Sequence, residues 1–166
     1  WSAVAFGPEA GAAAGTWLLG APEALVDERL LGHDAAEALR AQVHADADAG
    51  RRVLLLARTD EPLIGDALPG GGVPVAVVTF RENVRPDAAE TLDYFHAQGV
   101  RTVVISGDNP RTVAAVAREV GLEVTGQAYD GRTLPDEPGE LADVMAEHSV
   151  FGRVSPDQKK AMVQAL

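Results

Sequence analysis

Residues 100–105 form a strand-length run that ends in Ser106-Gly107-Asp108-Asn109-Pro110, after which apolar residues recur at Val113, Val116, Ala117 and Val120. That order predicts a buried strand, a turn and an amphipathic helix, because i, i+3, i+4, i+7 spacing places those side chains on one helix face. The unit recurs along the second half of the chain. Residues 75–80 predict a strand, and residues 87–98 predict a helix with Ala88, Leu92 and Phe95 on one stripe and Gly99 at its end. Further on come a helical stretch over 136–147, a short strand at 149–151 and a last helix from Pro156. Strands alternating with helices through short connections predict a parallel α/β sheet with right-handed crossovers. Ligands of such sheets sit beyond the carboxyl ends of the strands, so chemistry is sought after residues 80, 105 and 151.

The residues before Val73 follow another order: strand, strand, helix, helix, strand. Strands are predicted at 2–6 and 16–19. Gly20-Ala21-Pro22 turns the second into a helix carrying Leu25, Val26 and Leu30, and Asp34 with Glu37 reads as a capping box for the next helix. Residues 52–57 (RVLLLA) are a buried strand, and residues 61–72, rich in proline and glycine, a loop.

Composition narrows the partners. The formal net charge of −11 opposes nucleic acid and anionic lipid, so neither is expected. No apolar run approaches the ~18 residues of a membrane span, and no signal-like N-terminus is present, so the chain reads as soluble with no direct membrane insertion. With no cysteine there is no thiolate chemistry, and the four histidines form no ligand-spaced pair, so no metal site is predicted within the chain. Asp46 and Asp48 have Asp-x-Asp spacing but follow a polar helical stretch, and read as solvated carboxylates at a helix end.

Two places carry candidate chemistry. At Ser106-Gly107-Asp108-Asn109-Pro110 a hydroxyl, a glycine and a helix start can present O–H and N–H groups to a phosphate. Asp108 or Asn109 can cap the helix and Pro110 suits its first position, so the same residues also describe a well-made strand-to-helix turn and nothing more. The second place is residues 151–160 (FGRVSPDQKK), where Ser155 and Gln158 form a capping box around Pro156. Lys159 and Lys160 are the only two lysines of the chain. Lys159 shares a helical stripe with Met162, Val163 and Leu166, in a first turn where the helix dipole disfavours a cation by about 0.3–1 kcal/mol. It either neutralises a phosphate or carboxylate or extends its stem to solvent.

In order along the chain, Leu19-Gly20-Ala21-Pro22-Glu23 resembles the "KGAPE" segment of P-type ATPases, and residues 52–57 their strand with a phosphate-contacting arginine. Glu82-Asn83-Val84-Arg85 resembles the "DPPR"-like hinge, Ser106-Gly107-Asp108-Asn109 the "TGDN" turn, and residues 151–159 the "FARVxPxxK" segment. The chain is thereby identified as similar to the cytoplasmic segment of a cation-transporting P-type ATPase, with wording closest to the bacterial calcium-pump-like branch.

The resemblance implies an α/β fold in two parts. Residues 82–166 would be part of the phosphorylation domain, a haloacid-dehalogenase-like Rossmannoid parallel sheet. Residues 1–81 would be the C-terminal part of the nucleotide-binding domain, an α+β lobe on an antiparallel sheet. It also implies roles. Ser106 and Gly107 would bind phosphate through hydroxyl and amide, and Lys159 would hold the phosphoryl group beside a nucleophilic aspartate. Asp108 and Arg153 would lie near ribose and triphosphate, Glu82 and Arg85 at the hinge, Arg52 on ATP phosphates, and Gly20, Ala21 and Pro22 around adenine. ATP and Mg2+ would be the parent's cofactors, and its actuator and transmembrane domains the partners, at the cytoplasmic face of the plasma membrane.

This sequence departs from the pattern at Leu19 (usually lysine), Glu82 (aspartate) and Ser106 (threonine). The "DKTGT" bearing the phosphorylated aspartate is not among these 166 residues, nor is the Mg-binding "GDGxND". The segment alone is therefore expected not to turn over ATP. A soluble haloacid-dehalogenase-like phosphatase, or a non-catalytic nucleotide-binding module, would share part of this pattern.

Overall fold

The computed structural model describes residues 1–165. They form two compact units, Trp1–Asp46 with Val53–Phe80, and Ala47–Arg52 with residues 81–165.

β1 (Ser2–Phe6), β2 (Gly15–Gly20), β3 (Arg51–Thr59) and β4 (Gly72–Arg81) form one sheet in that order, all of it in the first unit except Arg51, Arg52 and Arg81 at strand ends. The pairs β1–β2 and β2–β3 are antiparallel, in a register that sets Val4 opposite Trp17 and Leu18 opposite Ala57. Because strand side chains alternate between faces, Val53, Leu55, Ala57 and Thr59 are buried while their neighbours are partly covered. Leu18, Leu55 and Ala57 pack against Leu25, Leu30, Leu31 and Leu39 of the helices α1 (Pro22–Leu25), α2 (Glu28–Leu31) and α3 (His33–Asp48).

Two helix expectations fail here. The single helix predicted over Leu25, Val26 and Leu30 is two short ones, broken at Val26, because the Asp27 side chain accepts the Arg29 amide and starts a new helix. The next helix begins at His33, one residue earlier than the predicted cap, so Asp34 lies inside its first turn.

The second unit carries three short parallel strands in the order β5 (Val104–Ile105), β7 (Val150–Gly152), β6 (Tyr129–Asp130). The central strand is buried on both faces, as parallel strands between helices are. Phe151 packs with Leu141, Met145, Val154 and Met162 of α6 (Pro138–Glu147), α7 (Pro156–Ala165) and the chain between strand and helix. Val150 packs with Val113, Ala114 and Ala117 of α5 (Pro110–Glu119). The strand predicted over 100–105 pairs only at Val104 and Ile105, because the partner strand is three residues long. β6 has no apolar run to announce it and is new with the structure.

Periodicity overstates burial on two helices. In α4 (Ala88–Ala97) no residue is buried, and Phe95 of the predicted stripe is 41% exposed. In α7, Met162 is fully buried but Val163 is 59% exposed and Lys159 is exposed. Leu166, also placed on that stripe, lies outside the described residues. A stripe marks the face that could be covered, and only neighbouring elements decide how much of it is.

Candidate functional site

The Ser106 amide donates to the Phe151 carbonyl at 3.0 Å, extending the pairing of β5 and β7 by one step before the chain turns away. The turn that follows is tied on itself. The Asp108 amide donates to Ser106 Oγ at 3.1 Å, and that hydroxyl lies 3.4 Å from Asp108 Oδ2. Asn109 is the cap of α5, its Oδ1 accepting the Arg111 amide at 3.0 Å, and Pro110 takes the first helical position. Gly107 is exposed, and among the described residues its N–H has no acceptor. A half-buried hydroxyl, an open amide and the positive end of a helix dipole can together receive an anion.

A second stretch of backbone braces this turn. The Arg153 amide donates to the Asp108 carbonyl at 2.7 Å, and the Val154 amide to the Ser106 carbonyl at 3.0 Å. Two glycines make the approach possible. A Cβ at Gly152 would stand 2.5 Å from the backbone of Pro110, and one at Gly131 would stand 2.7 Å from the Arg153 carbonyl oxygen. Arg153 itself has φ 52°, and is the only non-glycine with positive φ among the described residues.

The carboxylate of Asp130, at the end of β6, meets the Arg153 guanidinium at 3.4 Å and that of Arg132 at 2.7 Å. The hydrogen bond from Arg132, and then the charges of Arg132 and Arg153, hold the Asp130 carboxyl below its ordinary range against the opposing effect of burial. The capping box at α7 is present, with Ser155 N–H on Gln158 Oε1 at 2.9 Å and Gln158 N–H on Ser155 Oγ at 3.2 Å. The Gln158 amide nitrogen also donates to the Gly131 carbonyl at 2.6 Å.

The structure places the other candidates as follows. Arg52, in the short segment that belongs to the second unit, lies with Nε 3.4 Å from Asp108 Oδ1. Arg52, Glu82, Ser106 and Asp108 line one cleft of about 310 Å³, whose apolar wall includes Val84, Val104, Val113 and Val116. Arg85 is drawn to Asp87 on the surface. Lys159 stands exposed on the first turn of α7, and its amine has no ion-pair partner among the described residues. Gly20, Ala21 and Pro22 lie in the first unit where β2 gives way to α1. Gly20 is buried against Trp1, Ala21 is exposed and Pro22 is buried. Leu19 is partly open on β2.

Asp48 pairs with Arg111 at 3.0 Å, as a helix-end carboxylate does. Among the described residues no three His, Cys, Asp or Glu side chains converge as a metal site. No helix among them is long and apolar enough to cross a membrane.

Asp130 and Gly131 escaped sequence reasoning, and Gly152 was read as part of the 151–160 motif without a role of its own. The signal was weak, since a two-residue strand and single glycines have no periodicity.

Residues 6–166 match the family model described as haloacid dehalogenase-like hydrolase. The chain is 43% identical to the calcium-transporting ATPase CtpE of Mycolicibacterium smegmatis over all of its 166 residues, which make up 19% of that protein. It is 39% identical to a probable cation-transporting ATPase of Streptococcus pneumoniae over 92% of this chain and 18% of that protein. Its identity to a zinc/cadmium/lead-transporting P-type ATPase of Escherichia coli is 28%, over 74% of this chain and 14% of that protein. The chain thus spans about a fifth or less of the curated relatives it matches.

Proposed function

Since the chain belongs to the haloacid dehalogenase-like hydrolases, we propose that it is the nucleotide-binding and phosphorylation segment of an ATP-driven cation pump of the P-type. One observation carries the reading. The Ser106–Asp108 turn and the Arg153–Val154 stretch, beyond the carboxyl ends of two adjacent parallel strands, are hydrogen-bonded to each other with Arg52 3.4 Å from Asp108, and this supports a phosphate site there. Resemblance to cation-transporting ATPases across nearly the whole chain favours this over a soluble phosphatase.

In this reading residues 1–81 are nucleotide-binding and residues 82–166 belong to the phosphorylation domain. Ser106 and the Gly107 amide receive the phosphoryl group, and Lys159 neutralises it beside an aspartate supplied elsewhere in the parent. Lys159 is exposed on the first turn of α7 and is therefore accessible to an incoming phosphate. Arg52 offers a planar fork to ATP phosphates. Asp108 and Arg153 lie near ribose and triphosphate, Asp108 through its side chain, while the Arg153 side chain is held by Asp130. Glu82 and Arg85 form the hinge that couples phosphorylation to ion gating through the actuator and transmembrane domains. Gly20, Ala21 and Pro22 wall the adenine site, where Leu19 offers apolar contact only. Bound Mg2+ would offset phosphate charge during transfer.

The parent would present this segment at the cytoplasmic face of its membrane. Calcium is the ion to test first, because identity to the calcium-transporting relative exceeds that to the zinc/cadmium/lead-transporting one.

The test uses the full-length gene product in inside-out vesicles. Radiolabelled ATP should give an acid-stable, hydroxylamine-labile phosphoprotein and ATP-dependent calcium uptake, and Lys159→Ala should abolish both. Wild-type vesicles that form no such phosphoprotein would refute the reading.

A further inference from the structure

A left-handed backbone is strained at a non-glycine residue, and it persists only where surrounding contacts impose it. Arg153 holds that conformation at the point where its own amide and the next one turn back onto Asp108 and Ser106. Its side chain runs the other way, only 17% exposed, to the carboxylate of Asp130. Asp130 is in turn fixed at the edge of the sheet, because β6 pairs with β7 through Asp130 opposite Gly152. Gly131 lies directly against the Arg153 backbone, and Gln158 grips the Gly131 carbonyl from the first turn of α7. The chain from Asp130 to the phosphate-binding turn is therefore continuous: carboxylate, guanidinium, strained backbone, two amides, turn.

We propose that Asp130 is a positioning residue for the phosphate-handling turn, acting through Arg153 to hold the Arg153 and Val154 amides on the Asp108 and Ser106 carbonyls. Among the described residues Asp130 makes no hydrogen bond or ion pair to residues 106–108. Its effect on Ser106 and Gly107 passes entirely through the backbone that Arg153 keeps in place. The mechanical part of this inference stands on geometry alone, and its consequence for phosphorylation rests on the function proposed above.

Asp130→Asn is the informative change, since asparagine can still accept the Arg132 amide as aspartate does, while the charge that engages Arg153 is gone. Amide hydrogen exchange on this chain should then speed up at Arg153 and Val154 by about fivefold, the size of one ordinary net hydrogen bond, as suits a contact of 3.4 Å, with core amides such as Ala57 unmoved. Arg153→Gly supplies the second arm. Glycine takes a positive φ without strain, so Asp130→Asn added to Arg153→Gly should leave Val154 exchange unchanged from Arg153→Gly alone. Arg132→Gln, which removes the outer partner of Asp130, should leave both amides as in the wild type.

Equal effects of Asp130→Asn with and without Arg153→Gly would overturn the proposal, as would an effect of Arg132→Gln as large as that of Asp130→Asn. In the full-length protein, Asp130→Asn should lower the rate of phosphoprotein formation while Asp130→Glu restores part of it. If the exchange results hold but wild-type protein forms no phosphoprotein, the pump reading fails and the positioning role stands. If phosphorylation is normal and exchange at Val154 does not respond, the positioning role fails alone.

Discussion

The Val154 amide and the Ser106 carbonyl, 48 residues apart in sequence, are joined by a 3.0 Å hydrogen bond. That bond makes the loop after β7 a structural part of the turn after β5. The two segments therefore stand or fall together, and the local stability of the second unit should be most sensitive where they touch.

Gly152→Ala tests the closeness of that contact. The added Cβ would meet Pro110 backbone at 2.5 Å and the Asp108 carbonyl oxygen at 2.7 Å. Neither neighbour is a flexible side-chain end, so the change should cost about 1–3 kcal/mol in denaturant unfolding. Gly139→Ala in α6, where nothing lies within 4 Å, should be neutral or stabilise by about 0.4–1 kcal/mol.

Lys159→Gln separates stability from function. The side chain is exposed and has no ion-pair partner among the described residues, so thermal unfolding should shift by no more than about 0.5 kcal/mol. Phosphoprotein formation by the full-length protein should nonetheless be lost. A large loss of stability would instead make Lys159 a structural residue.

Met162→Ala should do the opposite. Met162 is fully buried beside Phe151 and Met145, and its truncation should cost about 2–5 kcal/mol by the cavity it leaves. Urea unfolding followed by circular dichroism would measure it.

The contribution of Asp130 should depend on pH in one direction. Its carboxyl is held below the ordinary range when folded, so the unfolded chain takes up a proton first as pH falls. The stability that the ionised group supplies is thus complete above the ordinary carboxylate range, and is lost as pH falls below about 4 and through the folded value. The stability difference between wild type and Asp130→Asn should be constant near neutrality and shrink in acid. A difference that grew on acidification would contradict the assignment.

The cap at the start of α7 offers a further check. Ser155→Ala removes the acceptor of the Gln158 amide and should cost about 1 kcal/mol. Because Gln158 also holds the Gly131 carbonyl, the loss should appear as faster exchange near Gly131 as well as at the helix start.

Much of this was written locally. The Asn109–Pro110 start and the Ser155–Gln158 box each appear in the structure where the sequence puts them, because each depends on residues within one helical turn, and of the stripe Val113, Val116, Ala117 and Val120 the structure buries Val113 and Ala117. The break at Val26 was decided by a competition between helix continuation and the Asp27 cap, and local propensity did not distinguish the two. The exposure of Phe95 and Val163 was equally out of reach, because periodicity names a face without naming a neighbour to cover it.

Sequence by itself thus determined the alternation of strands and helices from residue 100 onward, the two turns that carry candidate chemistry, and the acidic net charge, whereas the strand over 75–80, read with the parallel sheet, joins β1–β3 instead. Only the tertiary structure decided that those turns are hydrogen-bonded to each other, that Arg52 pairs with Asp108, and that Arg153 pairs with Asp130. The reason is physical. Caps and stripes come from contacts a few residues apart, whereas the pairing of β5 with β7 and of β7 with β6 closes loops of tens of residues. No local signal in the chain encodes which of its turns such closures will bring together.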